Sequence, residues 1–176
     1  MRSVNCCSLN LTQEDTVRDS VISALDSVSR QVKIGFLATL PELLSRAEYD
    51  LSEVEPMIND YNMARAPICS CHSPWEQRRS VRLVRFDREI STDEARGALN
   101  ETGLRPGTIH EYLELVAAYP ELRTEVPVVM LGSVLPPHTV SAYNSFAVRR
   151  ISLAQSHTGK WGPLCWFIAV DKHCPQ

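Results

Sequence analysis

The sequence predicts an α+β protein: an N-terminal helical segment followed by a mixed domain built on a mainly antiparallel sheet. Three observations carry the prediction. Apolar residues recur at helical spacing through the first sixty-odd residues; a stretch marked by Pro and Ser then breaks every periodicity; beyond it the order is strand, two capped helices, then at least three strands. Helices segregated from strands, rather than alternating with them, point away from a parallel βαβ fold. The expected organisation is a helical segment over 1–63, a linker over 64–79 and an α+β domain over 80–176.

In the first segment, Thr12 to about Lys33 reads as an amphipathic helix. Thr12 can cap it, Asp15 places negative charge in the first turn, and Val17, Val21, Leu25, Val28 and Val32 follow at helical spacing. Thr39 starts a second helix, with Glu42 as its capping-box partner and Leu40, Leu43, Leu44 and Ala47 as its apolar residues. A third short helix is expected from Asp50 or Ser52 through Met57, Ile58 and Tyr61, with Pro56 tolerated near its first turn. Three such faces can pack together, onto the rest of the chain, or against a second copy, so a homodimer through the N-terminal helices is open to this chain.

Pro67 and Pro74, with neighbouring serines, mark the linker. Arg78, Arg79, Arg82, Arg85 and Arg88 then form a local basic stripe, read as a solvated strand edge where charge discourages pairing between sheets. A phosphate-binding stripe would be joined by an aromatic platform, and none accompanies it.

Val81, Leu83, Val84 and Phe86 make the next strand. Ser91 and Glu94 form a capping box for a helix through Ala95, Ala98 and Leu99, stopped by Gly103. Thr108 and Glu111 repeat the device for a helix carrying Ile109, Tyr112, Leu113, Val116 and Tyr119, ended by Pro120. Pro127 to Leu131 reads as a buried strand closed by Gly132, and Phe146 to Leu153 alternates with period two. Leu164 to Val170 is apolar throughout, so it can be buried on both faces. Pro136-Pro137 and Ser156 to Lys160 are loops.

The 176 residues include 44% hydrophobic and 22% charged side chains and carry a net charge of −3. That excludes collagen-like, low-complexity and broadly disordered chains. No apolar run approaches the ~20 residues of a membrane span, and the slight acidity argues against a dedicated nucleic-acid binder. Met1 to Leu11 lacks the apolar stretch of a secretory signal. The six cysteines, Cys6, Cys7, Cys69, Cys71, Cys165 and Cys174, are therefore read as reduced thiols in a cytoplasmic protein. Cys69-Ser70-Cys71-His72 is the one metal-like cluster, but its spacing departs from zinc-ligand pairs and no metal is assigned to it.

No nucleophile elbow, P-loop, dinucleotide-binding glycine pattern or metalloprotease motif is present. Ser133 follows a strand without the second flanking glycine of an elbow and is read as a turn residue. The histidines, His72, His110, His138, His157 and His173, form no pair at helical spacing. His110 is expected to be solvated, and the acidic residues are expected on helix surfaces. No catalytic residue and no cofactor follow from these patterns. Trp161, Trp166 and Phe167 read as the core of the last strand, with alternation turning Trp166 away from Phe167 and leaving one aromatic partly exposed as a recognition anchor.

Four runs carry a resemblance: Gly103-Leu104-Arg105-Pro106-Gly107-Thr108, Tyr119-Pro120-Glu121, Pro127-Val128-Val129-Met130-Leu131-Gly132-Ser133, and Trp161 followed by Trp166-Phe167-Ile168-Ala169-Val170-Asp171-Lys172. Over about residues 80–172 the chain resembles a group of uncharacterised bacterial proteins associated with diversity-generating retroelements, and its layout is similar to a C-type-lectin-like fold. It departs from the family at Trp166 and Asp171, where Arg is usual, and at Gly107, where Ala is usual.

The resemblance implies a non-catalytic ligand-binding protein whose terminal segment, about Tyr143 to Trp166, displays varied residues on a rigid sheet. By position its ligand-binding residues would be Tyr143, Asn144, Ser145, Arg149, Ser152, Gln155, His157, Lys160 and Trp161. The partner would be a protein or another macromolecular ligand. Two readings stay beside this one. The chain can be a regulatory or protein-interaction α+β protein dimerising through its N-terminal helices, or a small hydrolase or transferase using Ser133 or His157.

Overall fold

The computed structural model describes residues 26–60, 63–68, 75–123, 127–134, 140–145, 150–155 and 160–172. Its centre is the last strand, β9 (Trp166–Asp171), whose unbroken apolar run suits a strand covered on both faces. The other strands are β1 (Asp26–Gly35), β2 (Glu76–Arg85), β3 (Ile90–Ser91), β4 (Leu104–Pro106), β5 (Val128–Val134), β6 (Val140–Ser145), β7 (Arg150–Gln155) and β8 (Lys160–Trp161). The helices among the described residues are α1 (Leu40–Arg46), α2 (Thr92–Glu101) and α3 (Ile109–Ala118). The main sheet runs β1-β2-β9-β5-β6-β7, with β4 also on β9, while β3 and β8 form a separate ribbon. Every pairing is antiparallel except β5 with β9. The chain is thus α+β on a mainly antiparallel mixed sheet.

Alternation along β9 divides the interior in two. Ile168 and Val170 meet Val81, Leu83, Val128 and Met130 under α1 and α3. Phe167 and Ala169 face the other way, against Val84, Phe86, Val129, Leu131 and the α2 residues Ala95 and Leu99. Phe86 and Trp161 both stand edge-on to Phe167, with ring centroids 5.2 and 6.3 Å away. Each fully buried side chain of this size contributes about 1.5–3 kcal/mol.

The three helices among the described residues begin where their capping boxes predict. Thr39, Ser91 and Thr108 accept from the backbone N–H groups of Glu42, Glu94 and Glu111, and each carboxylate bonds back. At the exposed Ser91 box this bonding holds the Glu94 carboxyl down at about 2. Gly103 ends α2 with φ +75°, a conformation that favours glycine.

The expected N-terminal helix fails in its described part: Asp26 to Gly35 is a strand, in continuous register with β2 from Arg85 to Glu76. Val32 and Ile34 are buried while Ser29, Gln31 and Lys33 are exposed, a period of two. A spacing of four fits both periods, so Val28 and Val32 could not discriminate; the β-branched residues and Ile34 decide for strand. Residues 1–25 of that expectation lie outside the described residues.

The third expected helix is a single 3-10 turn, Leu51–Glu53. Val54 is already extended and bridges Ile151 of β7 in parallel, and Pro56 disfavours helical backbone at Glu55. β2 starts at Glu76, inside the expected linker, and Val32, Leu40, Leu43 and Leu44 share one core with Ile168 and Val170.

The arginine stripe does not lie on a sheet edge, because β2 sits between β1 and β9. Its charges go to separate partners: Arg79 is buried and donates to the Pro67 carbonyl, Arg82 pairs with Asp171 at 3.1 Å, and Arg85 lies 5.4 Å from the Trp166 ring. Gly132 does not close β5 but lies within it. A Cβ there would come 2.7 Å from the Gly107 carbonyl oxygen, so glycine permits two backbones to touch.

Candidate functional site

The nine residues expected to bind ligand fall into three sets. Tyr143, Asn144 and Ser145 lie on β6, and Ser152 and Gln155 on β7, the outermost pair of the sheet. In register, Tyr143 stands opposite Ser152, Asn144 opposite Ile151 and Gln155 opposite Val140. Ile151 is fully buried and anchors β7 to the core, while its neighbour Ser152 is partly exposed.

Lys160 and Trp161 are elsewhere, on β8, which pairs with β3. Lys160 is exposed, 3.1 Å from Glu89. Trp161 was expected at the displayed surface and is instead buried: its indole N–H donates to Thr92 Oγ1 at 3.0 Å and its ring packs on Phe167. An indole with its one donor satisfied loses nothing by burial, which explains the difference. Arg149 and His157 lie outside the described residues, as do Cys69, Cys71 and His72. Cys165, half-buried, is a free thiol whose pKa burial pushes up.

A second cluster was not foreseen. Every residue of α3 from Ile109 to Val116 is buried, His110, Glu111 and Glu114 included. Glu111 is completely buried and takes both terminal nitrogens of Arg105, while its Oε2 also accepts from the Thr108 N–H at 2.9 Å. His110 is equally buried, not solvated as expected. Its Nδ1 accepts from the Ala66 N–H at 3.3 Å, which leaves Nε2 to donate to the Gly35 carbonyl at 3.1 Å. One helical turn on, Glu114 Oε1 accepts from the Gly35 N–H at 3.1 Å and from Arg46 Nη2 at 3.0 Å. Burial holds the His110 pKa below its ordinary value, against the opposing pull of the Glu114 charge.

Chemically this cluster is a clamp. Both ring nitrogens of His110 are engaged, so the imidazole has no position from which to move a proton to or from a substrate. His110 and Glu114 together hold both polar groups of Gly35, tying the end of β1 to α3. Ser133 is a strand residue rather than a turn residue, and its Oγ accepts from the Ile109 N–H at 2.6 Å. It caps α3 and is 5% exposed, which removes it as a nucleophile. The signal available beforehand was the i,i+4 spacing of His110 and Glu114 on a helix whose other residues are mostly apolar.

Two clefts open near these elements. One of about 620 Å³ is lined by Leu37, Pro41, Glu42, Ser45, Arg46 and Trp75 among others. The other, about 510 Å³, adjoins Val54, Glu55 and Arg150. Among the described residues there is no cluster of three metal-ligating side chains, and no helix is long and apolar enough to cross a membrane. No family model, curated protein or solved structure matches the chain.

Proposed function

We propose that the protein is a non-catalytic ligand-binding protein of C-type-lectin-like organisation, with the β6–β7 pair as its recognition surface. The observation that carries this is the position of that pair. β9 holds the centre of the sheet with cores on both faces, and β6 and β7 extend beyond it as the outer strands. Ile151 fastens them to the interior, so neighbouring positions can change with little effect on the fold. In this reading Tyr143, Ser145 and Ser152, which alternate away from the buried Ile151 in register, carry the recognition, while Asn144 and Gln155 fall in register on the alternation of Ile151 and Lys160 lies on β8. Trp161 supports the scaffold. The ligand in this reading is a protein or another macromolecule met in the cytoplasm.

A library randomised at Tyr143, Ser145 and Ser152 tests it. Surface substitutions are worth within about 0.5 kcal/mol each, so single changes should move Tm by no more than about 2 °C. Most members should resist proteolysis like the parent, and selection on immobilised proteins should enrich binders. A library that largely fails to fold, or that folds and yields no binder across a broad target panel, overturns the proposal.

A further inference from the structure

The cleft beside α1 brings together groups that the recognition surface does not use. Its apolar walls are Trp75 and Leu37, 63% and 70% exposed. Trp161 is buried and Trp166 half-buried, so among the tryptophans Trp75 alone stands largely in solvent.

Glu42 and Arg46 line the same cleft four residues apart on α1, a spacing that sets Cβ atoms about 5–6 Å apart on one helix face. They hold separate partners. Glu42 spends Oε2 on the N–H and hydroxyl of Thr39, at 2.7 and 2.9 Å, which leaves Oε1. Arg46 spends Nη2 on Glu114, which leaves Nη1 and Nε, and its side chain is 48% exposed. The cleft therefore offers a carboxylate oxygen and guanidinium donors one helical turn apart, with an indole in the same lining. Its volume of about 620 Å³ lies within the usual range for small-molecule sites.

A ligand matching all three features carries an ammonium and a carboxylate on one carbon and a large apolar group beside them. A peptide N-terminus lacks the carboxylate, and a peptide C-terminus lacks the ammonium. We propose that this cleft binds a free aromatic α-amino acid, with its carboxylate on the Arg46 guanidinium, its ammonium on Glu42 Oε1 and its ring against Trp75 and Leu37. Stacking on an exposed indole supplies the apolar contribution, and the two charge-assisted hydrogen bonds supply selectivity.

The test is calorimetric titration of the full chain with L-phenylalanine, 3-phenylpropionate, phenethylamine and glycine, with tryptophan emission followed in parallel. A hydrogen bond to a charged group is worth enough to separate phenylalanine from each single-charge analogue by about tenfold or more. Glycine, without the ring, should bind more weakly still. Glu42→Gln should erase the advantage over 3-phenylpropionate, Arg46→Lys should reduce the advantage over phenethylamine, and Trp75→Ala should weaken every aromatic ligand. Equal affinity for phenylalanine and its analogues, absence of binding, or a Trp75→Ala variant that binds as well as the parent would each overturn the proposal. The analogue series on the unaltered chain decides the matter even if the Arg46 variant is unstable.

Discussion

Glu111 shows how much one side chain can carry when it is taken out of water. It caps the first turn of α3, accepts from Thr108 and neutralises Arg105, all while completely buried. Replacing one member of such a pair strands the other, at a cost of about 3–5 kcal/mol. Glu111→Ala should lower the urea-unfolding free energy by that amount, whereas Glu89→Ala, which removes the exposed partner of Lys160, should cost less than about 1 kcal/mol. His110 makes a different prediction because it titrates. Its folded pKa lies below the ordinary 6.5, so below that pH the unfolded chain binds the extra proton more readily. The stability contribution is complete above about pH 6.5 and is lost as pH falls toward the folded value. Glu114 opposes the loss, while Arg46 and Arg65 carry like charge nearby. Unfolding measured from pH 7.5 down to 5 should show this decline, and His110→Gln should flatten it; equal slopes would mean that the imidazole is not the group responsible. Neither buried side chain was legible from residue type alone, since Glu and His are solvated by default.

Elements were legible in proportion to how local their signals are. The capping boxes at Thr39, Ser91 and Thr108 are written in four consecutive residues each, and all three form. β9 was legible because an apolar run on both faces has few places to go. β1 was misread because Val28 and Val32 satisfy two periods at once, and what selects the strand is its partner fifty residues away on β2. Gly132 failed for a similar reason. Its neighbours in sequence make it look like a stop, while the structural reason for glycine is the approach of Gly107, whose carbonyl accepts its N–H at 2.9 Å. Gly132→Ala would push a methyl to within 2.7 Å of that oxygen and 2.8 Å of the Pro106 oxygen. Because both obstacles are backbone, relief requires β5 to move from β4, and the cost should be about 1–3 kcal/mol. Thermal unfolding of Gly132→Ala measures it, and an unchanged Tm would mean that these segments separate at no cost.

At the scale of the molecule, the question is whether residues before 64 form a unit of their own. The sequence suggests that they do, because proline and serine interrupt every pattern over 64–79. The contacts run the other way. β1 covers the edge of β2 along its whole length, and Val32, Ile34, Leu40, Leu43 and Leu44 are buried in the core shared with β9 and α3. At about 1.5–3 kcal/mol each, those five side chains contribute about 8–15 kcal/mol, comparable to the entire stability of a typical domain, about 5–15 kcal/mol. Losing Gly35 would also leave the clamp of His110 and Glu114 without the peptide it holds. A fragment of residues 64–176 should therefore lack a cooperative thermal transition and show little near-ultraviolet circular dichroism, although it retains every motif of the family resemblance. A fragment that melts cooperatively with the near-ultraviolet spectrum of the full chain would instead establish that β1 and α1 are an accessory layer on a self-sufficient domain.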